Sequence, residues 1–316
     1  MKLDLNLLKR LYSIDHPSKH EWDMLSLIIN ECYKIQNLHF ELDGYCNIFI
    51  TKNTSNPDFY PCVICHTDCV IPCSNKEVKI KNNKIWGKDK STGKQVALGA
   101  DDANGICCAL QLLKAVPDLK VCFTTEEEIG FTGADYATDN VDFFYNVSYM
   151  IQADRHGGSD LITYTNGIYS ASELWLQEIS GLMAKYKYTE AFGIGTDVGV
   201  LTEKLEISGV NISCGYYFEH RNDEYTLISE LQNCLDFMLD IINTVPIDQQ
   251  YTVKIDYKPY NYFKDIDPEC FDKTDGRKEN HLDDYPKEND YFKDDPYYAC
   301  AYCKNYDCMN CKIYPM

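Results

Sequence analysis

The chain has 316 residues, of which 45% are hydrophobic, and this size suits one large domain or two smaller ones. Its 49 acidic and 30 basic residues give a net charge of −19, which disfavours a nucleic-acid partner because like charges repel. The sequence contains no run of about 18 apolar residues, so no membrane-spanning helix is predicted. The N-terminus carries charges where a signal peptide needs an apolar stretch. We therefore expect a cytoplasmic protein, without a membrane partner, whose 16 cysteines are mostly free thiols.

Apolar spacing predicts alternating helices and strands along the chain. Leucines at helical spacing predict a helix over residues 3–13, and Ser18 followed by Glu21 predicts a capping box that opens a second helix reaching about residue 36. Helices are also predicted over 102–115, 170–187 and 226–243, and strands over 45–50, 61–65, 119–124, 147–153 and 210–214. Asn82-Asn83 lies between two alternating segments, which indicates a hairpin turn.

This alternation predicts an α/β protein, a three-layer α/β/α sandwich with a mostly parallel mixed sheet. Composition changes after residue 248, since residues 249–316 hold 11 of the 25 tyrosines and show little apolar periodicity. We expect a body over 1–248 and a C-terminal extension over 249–316 that wraps on the body or is partly disordered. The sequence leaves the oligomeric state open.

Metal-ligand residue types follow the predicted strands in succession. The positions are His66 and Asp68, Asp101 and Asp102, Glu126 to Glu128, Asp154 to His156, and His220. Ligands of parallel sheets bind at the carboxyl ends of the strands, so five such groups at one edge are hard to explain as solvated surface. Imidazole and carboxylate ligands suit Zn²⁺, and Mn²⁺ or Co²⁺ also fit.

These residues stand in segments that resemble a known clan. CHTD (65–68), LGADDANG (98–105), TTEEEIG (124–130), QAD (152–154) and the His of YFEHRNDEY (217–225) resemble the dinuclear-zinc exopeptidases. That clan includes peptidase T, the aminoacylase and carboxypeptidase group, and the lidless zinc aminopeptidases. The order His-x-Asp, Asp, Glu-Glu, Asp, His is the order of the clan, and the resemblance covers roughly residues 10–245.

The resemblance implies a role for each matching residue. Two Zn²⁺ ions would share Asp101, one held also by His66 and Asp154, the other by Glu128 and His220. Asp68 would orient His66. Glu127 would be the general base for a water activated by both metals, which attacks a peptide bond.

Several positions keep two interpretations. Three successive glutamates leave the register open between Glu127 with Glu128 and Glu126 with Glu127, and the following Ile-Gly favours the first. His156 is a competing ligand or a surface or substrate contact, and Asp102 is a ligand or, as we favour, a helix cap.

Three further residues near these segments also remain open. Residues 196–199 resemble a clan segment near the substrate, although Asp197 could equally cap a helix. Arg155 and Arg221 contact a substrate carboxylate or, as we favour, simply lie in solvent.

Families of the clan with a lid insert about a hundred residues between the fourth ligand and the final His. Here His220 lies only 66 positions after Asp154, and predicted strands and helices use nearly all of them. We therefore expect no lid, and an aminopeptidase that acts on short peptides. The alternatives are an N-acyl-amino-acid amidohydrolase or carboxypeptidase with the same centre, or a non-catalytic binding protein of this fold.

Two groups of cysteines have metal-like spacing. Cys300, Cys303, Cys308 and Cys311 form two C-x-x-C pairs, which predict one structural Zn²⁺ in the extension, and the alternative is a tail of free thiols. Near His66, the residues Cys62, Cys65, Cys69 and Cys73 have tempting spacing, but Cys62 and Cys65 lie in a strand that we expect to be buried, so core thiols are favoured.

Overall fold

The computed structural model describes residues 1–72 and 74–256. Its helices are α1 Leu5–Tyr12, α2 Trp22–Cys32, α3 Ala100–Ala115, α4 Thr132–Ala137, α5 Val141–Phe144, α6 Glu173–Tyr186, α7 Asp197–Leu205 and α8 Ile228–Thr244. Its strands are β1 Leu38–Leu42, β2 Ile48–Lys52, β3 Tyr60–His66, β4 Lys76–Lys81, β5 Lys84–Asp89, β6 Gln95–Val96, β7 Leu119–Thr124, β8 Val147–Arg155, β9 Asp160–Thr165, β10 Ile168–Tyr169, β11 Thr189–Phe192, β12 Gly209–Ser213, β13 Tyr216–Tyr217 and β14 Tyr225–Leu227.

A nine-stranded mixed sheet forms the centre of the fold. Its order is β1-β2-β7-β3-β8-β12-β9-β10, and β11 pairs with β9. The four central strands β7, β3, β8 and β12 run parallel, whereas β1 and β2 on one side and β9 and β10 on the other add antiparallel pairs. The predicted mostly parallel mixed sheet is confirmed.

Helices cover both faces of this sheet. Along β3, Val63 and Cys65 pack into an apolar cluster with α1, α2, α3, α6 and α8, while Cys62 and Ile64 pack into a second cluster with α4, α5 and α7. Successive residues of a strand point to opposite faces, so a strand buried on both faces is continuously apolar. The three-layer α/β/α sandwich is confirmed.

The segment between Asp154 and His220 contains no lid domain within the described residues. Its strands β9 to β12 join the main sheet, and α6 and α7 pack on opposite faces of that sheet. The prediction of a lidless fold is confirmed.

A small antiparallel sheet, which the sequence indicated only through the Asn82-Asn83 turn, stands beside the main one. Its order is β13-β14-β5-β4, with β6 paired to β5. Asn82 adopts φ 55°, as the turn between β4 and β5 requires. This sheet leads into α3 at one end and flanks the loop that carries His220 at the other, so it borders the predicted site on two sides.

The predicted capping box at Ser18 is wrong. Helix α2 begins at Trp22 and ends at Cys32, and its N-cap residue Glu21 makes no side-chain cap hydrogen bond. The Ser18 hydroxyl donates to Asp68 Oδ2 at 2.6 Å, and Glu21 Oε1 accepts from the amide of Glu126 at 3.3 Å. Both side chains bind the strand-end loops instead of their own helix, because these loops present a buried carboxylate and an open amide.

Free thiols contribute to the core as predicted. The ten cysteines of the described residues are free, and nine of them, including Cys62, Cys65 and the Cys107-Cys108 pair, are buried. Cys73 lies outside the described residues. Among the helices of the described part of the chain, none is long and apolar enough to cross a membrane.

Residues 249–256, which the prediction assigns to the extension, contact the body. Tyr251 is buried, its amide donates to the Ser148 carbonyl at 2.8 Å, and Thr252 pairs with Ile207. The remainder of the extension, including the cysteines predicted to bind zinc, lies outside the described residues, so the boundary at 248 and the zinc site stay predictions.

Candidate metal centre

The predicted site residues lie together at the carboxyl edge of the parallel strands. Their positions are His66 at the end of β3, Glu127 and Glu128 after β7, Asp154 near the end of β8, Asp101 in the first turn of α3, and His220 after β13. Because β3, β7 and β8 are parallel neighbours, their carboxyl ends meet at one edge, as the sequence predicted.

Asp101 lies between the two imidazoles. Its Oδ1 atom is 2.9 Å from His66 Nε2, and its Oδ2 atom is 3.2 Å from His220 Nε2. Each oxygen of one carboxylate therefore faces a different histidine, which is the arrangement that a carboxylate bridging two ions needs.

Each histidine has a second carboxylate of its own. His66 Nε2 is 3.4 Å from Asp154 Oδ1, and His220 Nε2 is 3.0 Å from Glu128 Oε1. One ligand atom from each of His66, Asp101 and Glu128 lies within 4.8 Å of the others. These contacts join the five residues into one cluster around Asp101, and the trio of His66, Asp101 and Glu128 takes members from both of the predicted ligand groups.

The charge of this cluster fits divalent cations. Five carboxylates, each exposed by a tenth or less, meet two imidazoles; the carboxylates are Asp68, Asp101, Glu127, Glu128 and Asp154. Even two protonated imidazoles would leave a charge of −3 (five minus two), and buried charge without compensation is costly. Imidazole nitrogen and carboxylate oxygen are the donors that Zn²⁺, Mn²⁺ and Co²⁺ accept.

The pKa values of the cluster reflect this crowding. Burial disfavours the charged imidazole of His220, yet hydrogen bonds to Asp101 and Glu128 raise its pKa to about 11. Burial and the neighbouring charge of Asp101 raise the pKa of Glu128 to about 7. Both shifts follow from the close packing of carboxylates around two imidazoles.

Asp68 organises the site through backbone amides as well as through His66. Its Oδ1 atom accepts from the Glu127 amide at 3.0 Å, and its Oδ2 atom accepts from the Glu128 amide at 3.2 Å. His66 Nδ1 is 3.3 Å from Asp68 Oδ1, an ion-pair contact outside hydrogen-bond geometry. Asp68 is placed to orient the imidazole and also fixes the turn that carries both glutamates.

The geometry favours Glu127 and Glu128 over the alternative register. Glu128 contacts His220, whereas Glu126 Oε2 accepts from the Tyr45 hydroxyl at 2.9 Å. Glu127 is 9% exposed, and burial raises the pKa of its carboxyl well above the usual range, with the charges of Asp197 and Asp154 adding to the effect. A raised pKa makes a carboxylate a stronger proton acceptor, which suits a general base.

Asp102 and His156 take the roles that the sequence analysis favoured over ligation. Asp102 Oδ1 accepts from the Gly105 amide at 2.9 Å, a helix cap, while its Oδ2 accepts from the His66 amide at 3.3 Å. His156 Nδ1 is 2.8 Å from Glu219 Oε1, and its side chain is 43% exposed.

Both arginines near the site are engaged by neighbouring carboxylates. Arg155 Nε donates to Asp160 Oδ2 at 3.2 Å, and Arg221 makes two hydrogen bonds to Asp223 at 2.9 and 3.2 Å.

Asp197 is a buried carboxyl rather than a simple helix cap. The Thr124 hydroxyl donates to its Oδ2 atom, and its buried Oδ1 atom has no hydrogen-bond partner. Burial raises the pKa of Asp197 to about 7. The segment is held by Gln152, whose Oε1 accepts from the Thr196 hydroxyl at 2.7 Å and from the Val198 amide at 2.8 Å.

Glu224 is a site residue that the sequence analysis missed. It is 2% exposed, and its carboxylate accepts hydrogen bonds from the backbone that leads to Asp101. A glutamate in the polar segment RNDEY resembles a surface residue. The only sequence feature that could have linked it to the site is its position four residues after His220.

Comparison of structures finds the same fold in solved peptidases. The aminopeptidase PepT from Bacillus cereus ATCC 10987 has a TM-score of 0.61 and 14% identity, covering 76% of this chain and 97% of that one. A tripeptidase from Staphylococcus aureus subsp. aureus Mu50 has a TM-score of 0.62 and 14% identity, covering 75% of this chain and 96% of that one. An aminopeptidase from the archaeon Desulfurococcus kamchatkensis has a TM-score of 0.58 and 14% identity, covering 77% and 95%.

Sequence comparison, in contrast, finds no matching protein family and no matching curated protein. The structural likeness confirms the predicted fold, which this chain shares with these aminopeptidases and the tripeptidase.

Proposed function

We propose that this protein is a metal-dependent hydrolase of peptide bonds, an aminopeptidase that removes N-terminal residues from short peptides. The observation that carries the proposal is the position of Asp101 between His66 and His220, with Asp154 and Glu128 beside them. The solved structures of the same fold include two aminopeptidases and a tripeptidase.

Each residue of the site would be a metal ligand, the general base or an orienting group. Asp101 would be shared by two Zn²⁺ ions, with His66 and Asp154 on one ion and Glu128 and His220 on the other; Mn²⁺ or Co²⁺ fit the same donors. When bound, such ions polarise a carbonyl group and lower the pKa of water. Glu127 would take the proton of the attacking water and pass it to the departing amine, while Asp68 keeps Glu127 and His66 in place.

Two features support an aminopeptidase over a carboxypeptidase or an N-acyl-amino-acid amidohydrolase. Arg155 and Arg221, the arginines next to the site, are paired with Asp160 and Asp223 instead of being directed at a substrate carboxylate. No lid domain occurs in the described residues to supply other clamping groups.

We also propose a cellular compartment and a division of the chain into two parts. The free thiols of the core suit the reducing cytoplasm. We place the catalytic body at residues 1–248 and the extension, whose first residues pack on that body, at 249–316. Its Cys300, Cys303, Cys308 and Cys311 would hold one structural Zn²⁺.

The test combines metal analysis with a panel of aminoacyl-peptides, N-blocked peptides and N-acyl amino acids. We expect three Zn²⁺ ions per chain and hydrolysis of peptides with a free amino terminus. Two ions would contradict the cysteine site, and hydrolysis of N-acyl amino acids alone would identify an amidohydrolase. A metal-free protein inert toward every substrate would leave a binding protein of this fold. Replacing Cys300 and Cys303 with Ser should remove one ion without removing activity.

A further inference from the structure

One buried carboxylate holds the segment that carries Asp101. Glu224 Oε2 accepts from the amides of Leu98 at 2.6 Å and Gly99 at 2.7 Å. Its Oε1 atom accepts from the amides of Ala100 at 2.7 Å and Asp101 at 3.4 Å. Four successive backbone donors therefore converge on one side chain, and the orientation of the Asp101 backbone depends on it.

The same segment is also fixed on its other sides. Lys76 Nζ donates to the Leu98 carbonyl at 2.6 Å. Gly99 adopts φ 70°, and a Cβ atom at this position would lie 3.3 Å from His16 Nε2. The segment therefore has little room to shift, and its shape requires glycine.

Glu224 also belongs to the part of the chain that carries His220, four residues earlier. It directly precedes β14 of the small sheet, and Gln95 of β6 donates its side-chain amide to the Glu224 carbonyl at 3.1 Å. Asp101 and His220, which are 3.2 Å apart, therefore share one anchor although they are 119 positions apart in sequence.

We propose that Glu224 is a positioning residue of the metal centre. Resting on the proposed function, the inference is that Glu224 sets the distance between Asp101 and His220 through the backbone of residues 98–101. It thereby sets the affinity for the ion that these two residues share with Glu128. Hydrogen bonds to a charged acceptor are stronger than those to a neutral one, and outer partners of metal ligands typically change metal affinity by about 10–100-fold.

Glu224→Gln tests this role with little change in volume. The single side-chain oxygen of glutamine cannot accept hydrogen bonds from all four donors, and its NH₂ group would face backbone N–H groups. In a titration of metal-depleted protein with Zn²⁺, we expect the affinity for one of the two catalytic-site ions to fall by about 10–100-fold and the other ion to be less affected. The Zn²⁺ concentration that gives half-maximal activity should rise by the same factor.

Asp223→Asn is the matched control, because this neighbouring carboxylate is half exposed and is paired with Arg221. It should keep wild-type affinity for both ions. Glu224→Asp retains two charged oxygens on a shorter stem and should restore part of the lost affinity. Selective loss of one ion, with this rescue, supports the inference, since a purely structural role would lower the melting temperature and leave metal affinity unchanged.

Two results would overturn the inference. One is a folded Glu224→Gln protein with wild-type affinity for both ions, whatever its melting temperature. If Glu224→Gln does not fold, Gly99→Ala displaces the same segment through its Cβ atom, and wild-type affinity in that variant is the second contradicting result. A wild-type protein that binds no metal would instead contradict the proposed function, so the two failures are distinguishable.

Discussion

The two ends of α3 carry charged clusters of opposite composition. Near the C-terminal end, the single carboxylate of Glu31 is 2% exposed and contacts three cations, with Arg10 at 2.7 Å, Lys114 at 3.1 Å, and Lys34. Beyond the N-terminal end, five buried carboxylates meet two imidazoles. Asp101 and Asp102 depart from helical φ and ψ, so the regular part of the helix covers residues 103–115 and is about 20 Å long.

This difference separates a structural cluster from a functional one. The charge of Glu31 is compensated within the chain, so this cluster needs nothing from outside. The carboxylates around Asp101 are more numerous than their counter-charges, and such an excess is compensated by raised pKa values or by an external cation. Charge balance within a buried cluster is thus more informative than the number of charged residues.

Glu127→Gln should produce the largest effect and test whether the acidic end performs chemistry. We expect kcat to fall by about 10²–10⁴-fold, because the amide cannot accept the proton of the attacking water, while the number of bound ions stays the same. Glu126→Gln is the control, since Glu126 contacts Tyr45 and should leave activity near wild type. An inactive Glu126→Gln protein beside an active Glu127→Gln protein would reverse the register.

Removal of metal should destabilise the acidic N-terminal end of α3 and leave the Glu31 end unchanged. A ligand present at 100 times its Kd stabilises a fold by about 2.7 kcal/mol, so chelation should lower the melting temperature by several degrees. Hydrogen exchange should then increase at the loops around residues 66–68 and 98–101 and remain unchanged near Glu31. Equal exchange at both ends would show that the carboxylate excess does not depend on a cation.

Glu31→Gln tests the charge-compensated cluster near the C-terminal end of α3. Burial opposes the charged form, but hydrogen bonds from Arg10, Lys34 and Lys114 lower the pKa of Glu31 from 4.5 to about 2. A lowered pKa stabilises the fold above the unfolded-state value, so this stability is present above pH 4.5 and is lost as the pH falls toward 2. We expect the variant to be less stable by about 2 kcal/mol at pH 7, allowing for the exposure of its partners.

Denaturant unfolding of the Glu31→Gln variant between pH 2 and 7 measures this contribution. Glu77→Gln, which removes an exposed carboxylate paired with Lys79, is the control and should change stability little. Peptidase activity at pH 7 should be retained by both variants. A pH profile of Glu31→Gln parallel to that of the wild type would refute the balanced-cluster interpretation.

Arg221→Ala should have the smallest effect, because this pair at the rim of the site is balanced and exposed. The guanidinium is 60% exposed and bound to Asp223, and exposed ion pairs contribute about 0–1 kcal/mol. We expect KM for peptides to change less than about twofold. A larger rise in KM for free peptides than for their C-terminal amides would show that Arg221 binds a substrate carboxylate, which would favour the carboxypeptidase alternative.

The clustering of residues at the strand ends could be predicted because its signals are local. His66, Glu128 and Asp154 each follow or end a short apolar strand, and strands buried on both faces have a continuous apolar pattern. The parallel arrangement then brings their ends to one edge of the sheet. Short strands such as β6 and β10, with two residues each, have no periodicity and were not predicted.

Contacts between distant segments escaped prediction for a physical reason. Ser18 and Glu21 match the spacing of a capping box, yet Ser18 donates to Asp68 across 50 positions of sequence. A polar side chain forms its hydrogen bond with a buried polar group that would otherwise have no partner. Which group that is depends on the folded structure. A pattern of four residues contains no information about it.

The sequence by itself determined the order of the longer helices and of the central strands, the mostly parallel sheet, the absence of room for a lid and the identity of the residues at the strand ends. Only the tertiary structure decided that Asp101 faces both imidazoles, that Asp197 is buried with an unpartnered oxygen, and that Glu224 holds residues 98–101. Periodicity is a property of neighbours in the chain, whereas the compensation of buried charge depends on groups that meet only on folding.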